Sequence, residues 1–128
     1  MPSETSSTTY QLAPWSEVPT ETISDQVSRQ FVTGSQVMLA RVELKAGAIT
    51  ARQSHPNEQI TYVQSGKVLF HIGPDHAIEQ KILSAGDTLV IPGNLIHGAD
   101  AIEHCVLFDL FAPPRQDWIN KEDSYLRG

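Results

Sequence analysis

The chain has 128 residues, 40% of them hydrophobic, and a formal net charge of -6. That is enough apolar material for one domain around a modest core, with no run near the roughly 20 apolar residues that a membrane-spanning helix needs. Its 9 lysines and arginines, against 15 acidic residues, form no cluster, and phosphate-backbone binding needs concentrated positive charge; a small acidic substrate held by one or two arginines stays open.

From the N-terminus, MPSETSSTT has neither the basic residue nor the apolar run of a secretory signal, so residues 1–9 read as a frayed tail and 10–128 as one domain with its core at about 37–111. Helical periodicity is almost absent. Short runs of Val, Ile, Leu and Phe instead recur between Gly, Pro, Asn and Asp, which predicts strands over 27–33, 37–44, 49–55, 59–64, 67–72, 77–83, 88–91, 95–98 and 103–111. The turn signals between them are TGS, KAG, HPNE, SG, GPD, SAGD, PGN and ADAI. So many short strands cannot bury their faces as one flat sheet, so an all-β sandwich or barrel is expected. The β pattern stops at Pro113 and Pro114, and one helical turn is expected around Trp118. Trp15 and Trp118 are expected to cover the outer surface or a subunit contact, and Tyr62 and Phe70 to pack the core. Cys105, the only cysteine, lies in the apolar run CVLFDLF; it reads as a buried strand thiol, and the absence of a disulfide fits the reducing cytoplasm.

Residues two apart on a strand face the same side, so Gln53 and His55 project together while Arg52 and Ser54 point away. The HPNE segment returns the chain, and Gln59 can face the same pocket; His97 opens the short strand after PGN. Four donor side chains can thus converge inside one barrel. His71, His76 and His104 have no ligand spacing to one another and read as structural or exposed.

The stretches GAITARQSHPNEQITYVQSG, from Gly47 to Gly66, and GDTLVIPGNLIH, from Gly86 to His97, resemble the two motifs of the cupins. The motif glycines, His55, Pro92 and His97 are in register; Gln53 stands where the first motif has His, Gln59 where it has Glu, and Gly93–Asn94 replaces an x–Gly pair. Asn tolerates the left-handed backbone of a tight turn, so that last change reads as neutral. The resemblance implies a double-stranded β-helix, the jelly-roll barrel. HPNEQITYVQSGKVLF and DLFAPPRQDW are similar to the small KdgF-like cupins, which linearise the 4,5-unsaturated uronates released by pectin or alginate lyases. It further implies a divalent metal (Ni, Zn, Mn or Fe) on Gln53, His55, Gln59 and His97, with Asp109, Phe111 and Arg115 as active-site residues. A homodimer is implied too, since small cupins commonly pair through their sheets and segment 10–23 is long enough to reach a neighbour.

An amide oxygen is a neutral, hard donor and a weaker one than imidazole. With no carboxylate in the set, a bound ion keeps its double positive charge, which favours Lewis-acid over oxygen chemistry. On this reading Asp109 moves protons, Phe111 shapes the pocket and Arg115 pairs with a substrate carboxylate through its planar fork. Alternatives are a dioxygenase or carbon–carbon lyase on the same scaffold, and a non-catalytic small-molecule or metal-binding module in which Gln53 has lost its ligand role. Asp109 can instead meet a salt-bridge partner such as Arg41, and Arg115 can be a surface residue anchoring the tail.

Overall fold

The computed structural model describes residues 9–122, so the predicted tail, apart from Thr9, lies outside the described residues. Among the described residues nine strands and one α-helical turn follow in order: β1 (Glu21–Thr22), β2 (Val27–Thr33), β3 (Met38–Leu44), β4 (Glu58–Ser65), β5 (Lys67–Ile72), β6 (Glu79–Ser84), β7 (Thr88–Ile91), β8 (His97–Ala101), β9 (Cys105–Ala112) and α1 (Gln116–Ile119), with 3-10 turns at Trp15–Glu17 and Asp75–Ala77. They form two antiparallel sheets, one in the order β1-β2-β3-β9-β4-β7 and one in the order β6-β5-β8. Among the described residues no helix is long and apolar enough to cross a membrane.

Period-two alternation sets which side chains face inward. Along β4, Gln59, Thr61 and Val63 are buried while Ile60 and Tyr62 are exposed; along β9, Cys105, Leu107, Asp109 and Phe111 are buried. Leu44, Val63, Val68, Phe70, Leu83, Ile91, Cys105 and Leu107 belong to the main core, and Met38, Ala40, Phe111 and Trp118 form a second cluster at one end. Phe70 therefore packs the core as expected, and Tyr62 does not. It is 43% exposed, because Thr61 and Val63 on either side of it take the inward positions.

Three other elements depart from expectation. Residues 49–55 form no strand; they meet β8 only through single bridges, Ile49 with Asp100 and Gln53 with His97. Those bridges span four residues on one side and three on the other, so the ladder slips by one, and the hydroxyl of Thr50 takes the amide of Ala99 at 2.9 Å in place of a backbone carbonyl. β8 runs on through the expected ADAI turn because Asp100 stays paired with Leu69 and its carboxylate accepts a hydrogen bond from His71 Nε2 at 2.9 Å. The two-residue β1 has no hydrophobic pattern to announce it.

The PGN turn follows the chemistry expected of it. Asn94 sits at φ 71°, the left-handed region that Asn tolerates, and Gly93 gives close passage to the HPNE loop, since a Cβ there would lie 2.4 Å from the carbonyl oxygen of Pro56.

Candidate functional site

A cavity of about 240 Å³ opens between the sheets, walled by the polar side chains of Arg29, Gln53, Gln59, His97, Asp109 and Arg115 and by apolar residues that include Val42, Leu44, Phe70, Leu107, Phe111 and Trp118. The six-stranded sheet places its polar wall in rows. Phe111 of β9 stands opposite Gln59 of β4, and Asp109 opposite Thr61. Gln53 reaches the same wall although its segment is no regular strand, because Gln53 and His97 exchange both backbone hydrogen bonds, each at 2.9 Å.

His55 and His97 are buried with their ring centroids 5.0 Å apart, edge to face. His55 Nδ1 lies 3.1 Å from the carbonyl oxygen of Asn57, and His97 Nδ1 2.9 Å from that of Leu95. A carbonyl can only accept, so His97 Nδ1 carries the proton and its Nε2 presents the lone pair; His55 stands between two acceptors, the Asn57 carbonyl and Gln59 Oε1, and as a neutral ring donates to one of them. Burial, with the charges of Arg115 and His97 adding to it, pushes His55 down to about 4; burial chiefly, and Arg115 in smaller part, lowers His97. Both rings are therefore neutral near pH 7, the form that binds metal.

Gln59 turns its amide nitrogen toward Thr61 Oγ1 at 2.9 Å and Asp109 Oδ1 at 3.4 Å, which leaves its Oε1 facing His55 Nε2 at 3.2 Å. In the tautomer with its proton on Nδ1, His55 turns a lone pair toward Gln59 Oε1, an arrangement that a cation between them satisfies; in the other tautomer the two are hydrogen-bonded. Among the described residues no group of three or more His, Cys, Asp and Glu side chains is placed to hold a metal; the donor set is imidazole and amide. That set fits a hard or borderline divalent ion, with His55, Gln59 and His97 able to hold it and backbone carbonyls fixing both rings from behind. The fourth expected donor is on the same wall but faces another partner: Gln53 Oε1 accepts from Arg115 Nη2 at 3.4 Å.

Asp109 is buried, and Thr61 Oγ1 donates to its Oδ1 at 2.6 Å. Burial pushes its carboxyl up to about 6, against the opposing pull of the Thr61 bond, the Arg115 charge and Gln59. The alternative pairing with Arg41 does not form, because Arg41 alternates to the other face of β3 and meets Glu43 at 3.5 Å. Phe111 is 1% exposed and packs edge-on against His55 at 5.7 Å and Trp118 at 5.1 Å.

Arg115 is not the surface arginine of the alternative reading: it too is 1% exposed. Its Nε and Nη2 donate to the two carboxylate oxygens of Asp117 at 3.0 and 2.8 Å, and its guanidinium lies 4.6 Å from the centre of the Trp118 ring. The Nε–Nη2 edge of the guanidinium is therefore already occupied by Asp117. Trp118, expected on the outside, is 5% exposed and lines the cavity; the helical turn α1 folds it inward onto Phe111 and Phe31. Trp15 does lie on the outer face, against Phe108.

Reading the sequence passed over three contributors. Arg29 lines the cavity at 3% exposure, bonded to Glu21 Oε1 at 2.7 Å and stacked 4.0 Å from Trp118; its place between Val27 and Phe31 in a period-two run already points it inward. Thr61 links Gln59 to Asp109, and its alternation with Gln59 carried the same signal. Asn57 donates from Nδ2 to the carbonyl oxygens of Pro113 at 2.6 Å and Pro114 at 3.2 Å, a contact that nothing in the sequence announces. Of the other histidines, His71 pairs with Asp100, His104 with Glu43, and His76 is exposed.

The Cupin domain family matches residues 40–111. The chain is a cupin. Among solved structures, this cupin is similar to KdgF from Halomonas sp., with 27% identity over 86% of this chain and 99% of that one and a TM-score of 0.78. It is similar also to an RmlC-like cupin from Shewanella frigidimarina, with 28% identity over 86% and 96% of the two chains and a TM-score of 0.73. Oxalate decarboxylase from Bacillus subtilis shares the fold at 19% identity and a TM-score of 0.75, over 89% of this cupin and 33% of that chain. No curated protein matches this cupin significantly.

Proposed function

We propose that this cupin is a metal-dependent enzyme that acts by Lewis-acid and proton-transfer catalysis on a small oxygenated carboxylic acid, with ring-opening of a 4,5-unsaturated uronate as its reaction. The carrying observation is the chain of contacts from His55 Nε2 through Gln59 and Thr61 to the buried carboxyl of Asp109. A buried carboxyl linked in this way to candidate metal donors at the cavity supports a proton-exchanging role for Asp109 beside the ion. The likeness to KdgF over nearly the whole of both chains supports the uronate version.

A divalent ion held by His55, Gln59 and His97 supplies electrophilic polarisation of a substrate oxygen. Both Asp109 bonds described above fall on Oδ1, so Oδ2 is the atom at which a proton is delivered or taken. A carboxyl near 6 exchanges protons in both directions close to neutral pH, which a normally acidic aspartate does poorly. Arg115 and Arg29 give the wall positive charge for a carboxylate, while Phe111 and Trp118 exclude water from it. The absence of a carboxylate among the candidate ligands disfavours the dioxygenase alternative, because nothing there offsets the charge of an oxidised ion.

The test is to incubate the metal-reconstituted protein with an unsaturated uronate and follow loss of its enol-ether ultraviolet band. The band should decay, and D109N should slow the decay by about 10²–10⁴-fold. An unchanged band with nickel, zinc, manganese and iron in turn overturns the uronate reading.

A further inference from the structure

We infer that Gln53, at the position where the cupin motif carries its first histidine, is not a metal ligand here but the positioning residue for Arg115. The ion is then held by His55, Gln59 and His97 and keeps an adjacent position open for a carboxylate oxygen. This rests on the metal-dependent reading above.

The two cavity glutamines have the same chemistry and opposite orientations. Gln59 is turned by Thr61 and Asp109 so that its Oε1 faces Nε2 of a candidate ligand, His55. Gln53 directs its Oε1 at a guanidinium, accepting from Arg115 Nη2 at 3.4 Å. That guanidinium is also held by two bonds to Asp117 and stacks on Phe111 and Trp118 at 5.1 and 4.6 Å, and Gln53 adds the contact that ties it to the segment before His55. It cannot withdraw to release the amide oxygen without straining an ion pair whose arginine is buried. An oxygen that accepts from a fixed cation is a poor donor to a second one, because its electron density is already drawn away and the two positive charges repel.

An imidazole in this position would do otherwise. It would turn its lone pair to the ion and leave Arg115 without this acceptor, so glutamine here exchanges one metal bond for an oriented guanidinium. Gln53 is held directly across from His97 by paired backbone bonds, so a carboxylate binding beside Gln53 would lie near both the ion that His97 would hold and the charge of Arg115.

Cobalt(II) titrated into the metal-free full-length chain tests this, since the intensity and position of its d–d bands report coordination. Q53L and Q53M should give the wild-type spectrum with dissociation constants within about threefold of it, while H55A weakens binding by on the order of 100-fold. Q53H should bind at least about tenfold tighter with an altered spectrum. Formate should shift the wild-type spectrum, and Q53L and Q53M should need several-fold more formate for the same shift, as the carboxylate loses an aligned Arg115. Spectra of Q53L and Q53M that change, with affinities falling as in H55A, overturn the inference and leave the metal reading standing. So does a wild-type spectrum indifferent to formate. Failure of the wild type to bind cobalt overturns the metal reading itself and the inference with it.

Discussion

Asp109→Asn should stabilise the protein while disabling it, and the gain should depend on pH in a defined way. The carboxyl has an ordinary value of 3.8 and is pushed up to about 6 in the fold, with burial as the largest cause. At 1.36 kcal/mol per unit, the ionised form therefore costs the folded state about 3 kcal/mol relative to the unfolded chain. Well below the unfolded value both states are protonated and there is no penalty. As pH rises the unfolded chain ionises first, so stability is lost progressively until the folded carboxyl also ionises near 6, after which the penalty is complete. Asparagine keeps the oxygen that accepts from Thr61 and Gln59 and carries no charge. Urea unfolding of the metal-free protein, with wild type and D109N compared at each pH, should show D109N more stable by about 2–3 kcal/mol at pH 8 and by less than about 1 kcal/mol at pH 4. Equal stabilities at pH 8, or a gain that does not shrink toward pH 4, would refute the reasoning.

Trp118→Ala removes the ring that packs on Phe111 and Phe31 and carries two stacked guanidiniums; it should cost about 3–5 kcal/mol in urea unfolding, and a loss below about 1 kcal/mol would mean that the tail is not part of the fold's wall. Cys105 is fully buried, and burial pushes its thiol up to about 11. Native protein at pH 8 should therefore resist a thiol reagent that labels it at once in urea, with rapid labelling of the folded chain counting against the core position.

The strands were legible wherever one face is buried and the other is wet, because alternation then dictates both the element and its orientation: β2, β4, β5, β7 and β9 stand within a residue or two of expectation. It failed where a hydrogen bond rather than a pattern decides. The Thr50 hydroxyl interrupts the ladder of residues 49–55, and the His71–Asp100 bond carries β8 through a turn signal. At the site, spacing alone brought Gln53, His55, Gln59 and His97 to one wall, yet spacing carries no information on which way an amide turns. The opposite settings of Gln53 and Gln59 come from Arg115 in one case and from Thr61 and Asp109 in the other, residues 62 and up to 50 positions away in the chain. Trp118 was misplaced for a similar reason: polar neighbours suggest an outer helical turn, whereas two buried arginines give the indole a cationic lining to rest on.

Asn57 joins two distant parts of this chain through its two polar ends. Its main-chain carbonyl oxygen lies 3.1 Å from His55 Nδ1, ready to accept its proton, and its side-chain amide nitrogen donates to the carbonyls of Pro113 and Pro114. Docking of the C-terminal segment and the tautomer of a candidate ligand are therefore linked, and linkage is reciprocal. On the metal-dependent reading, clipping the chain after Ala112 should weaken metal binding and added metal should slow proteolysis of the segment beyond Ala112, so the rate of C-terminal digestion would gauge metal occupancy without knowledge of the substrate.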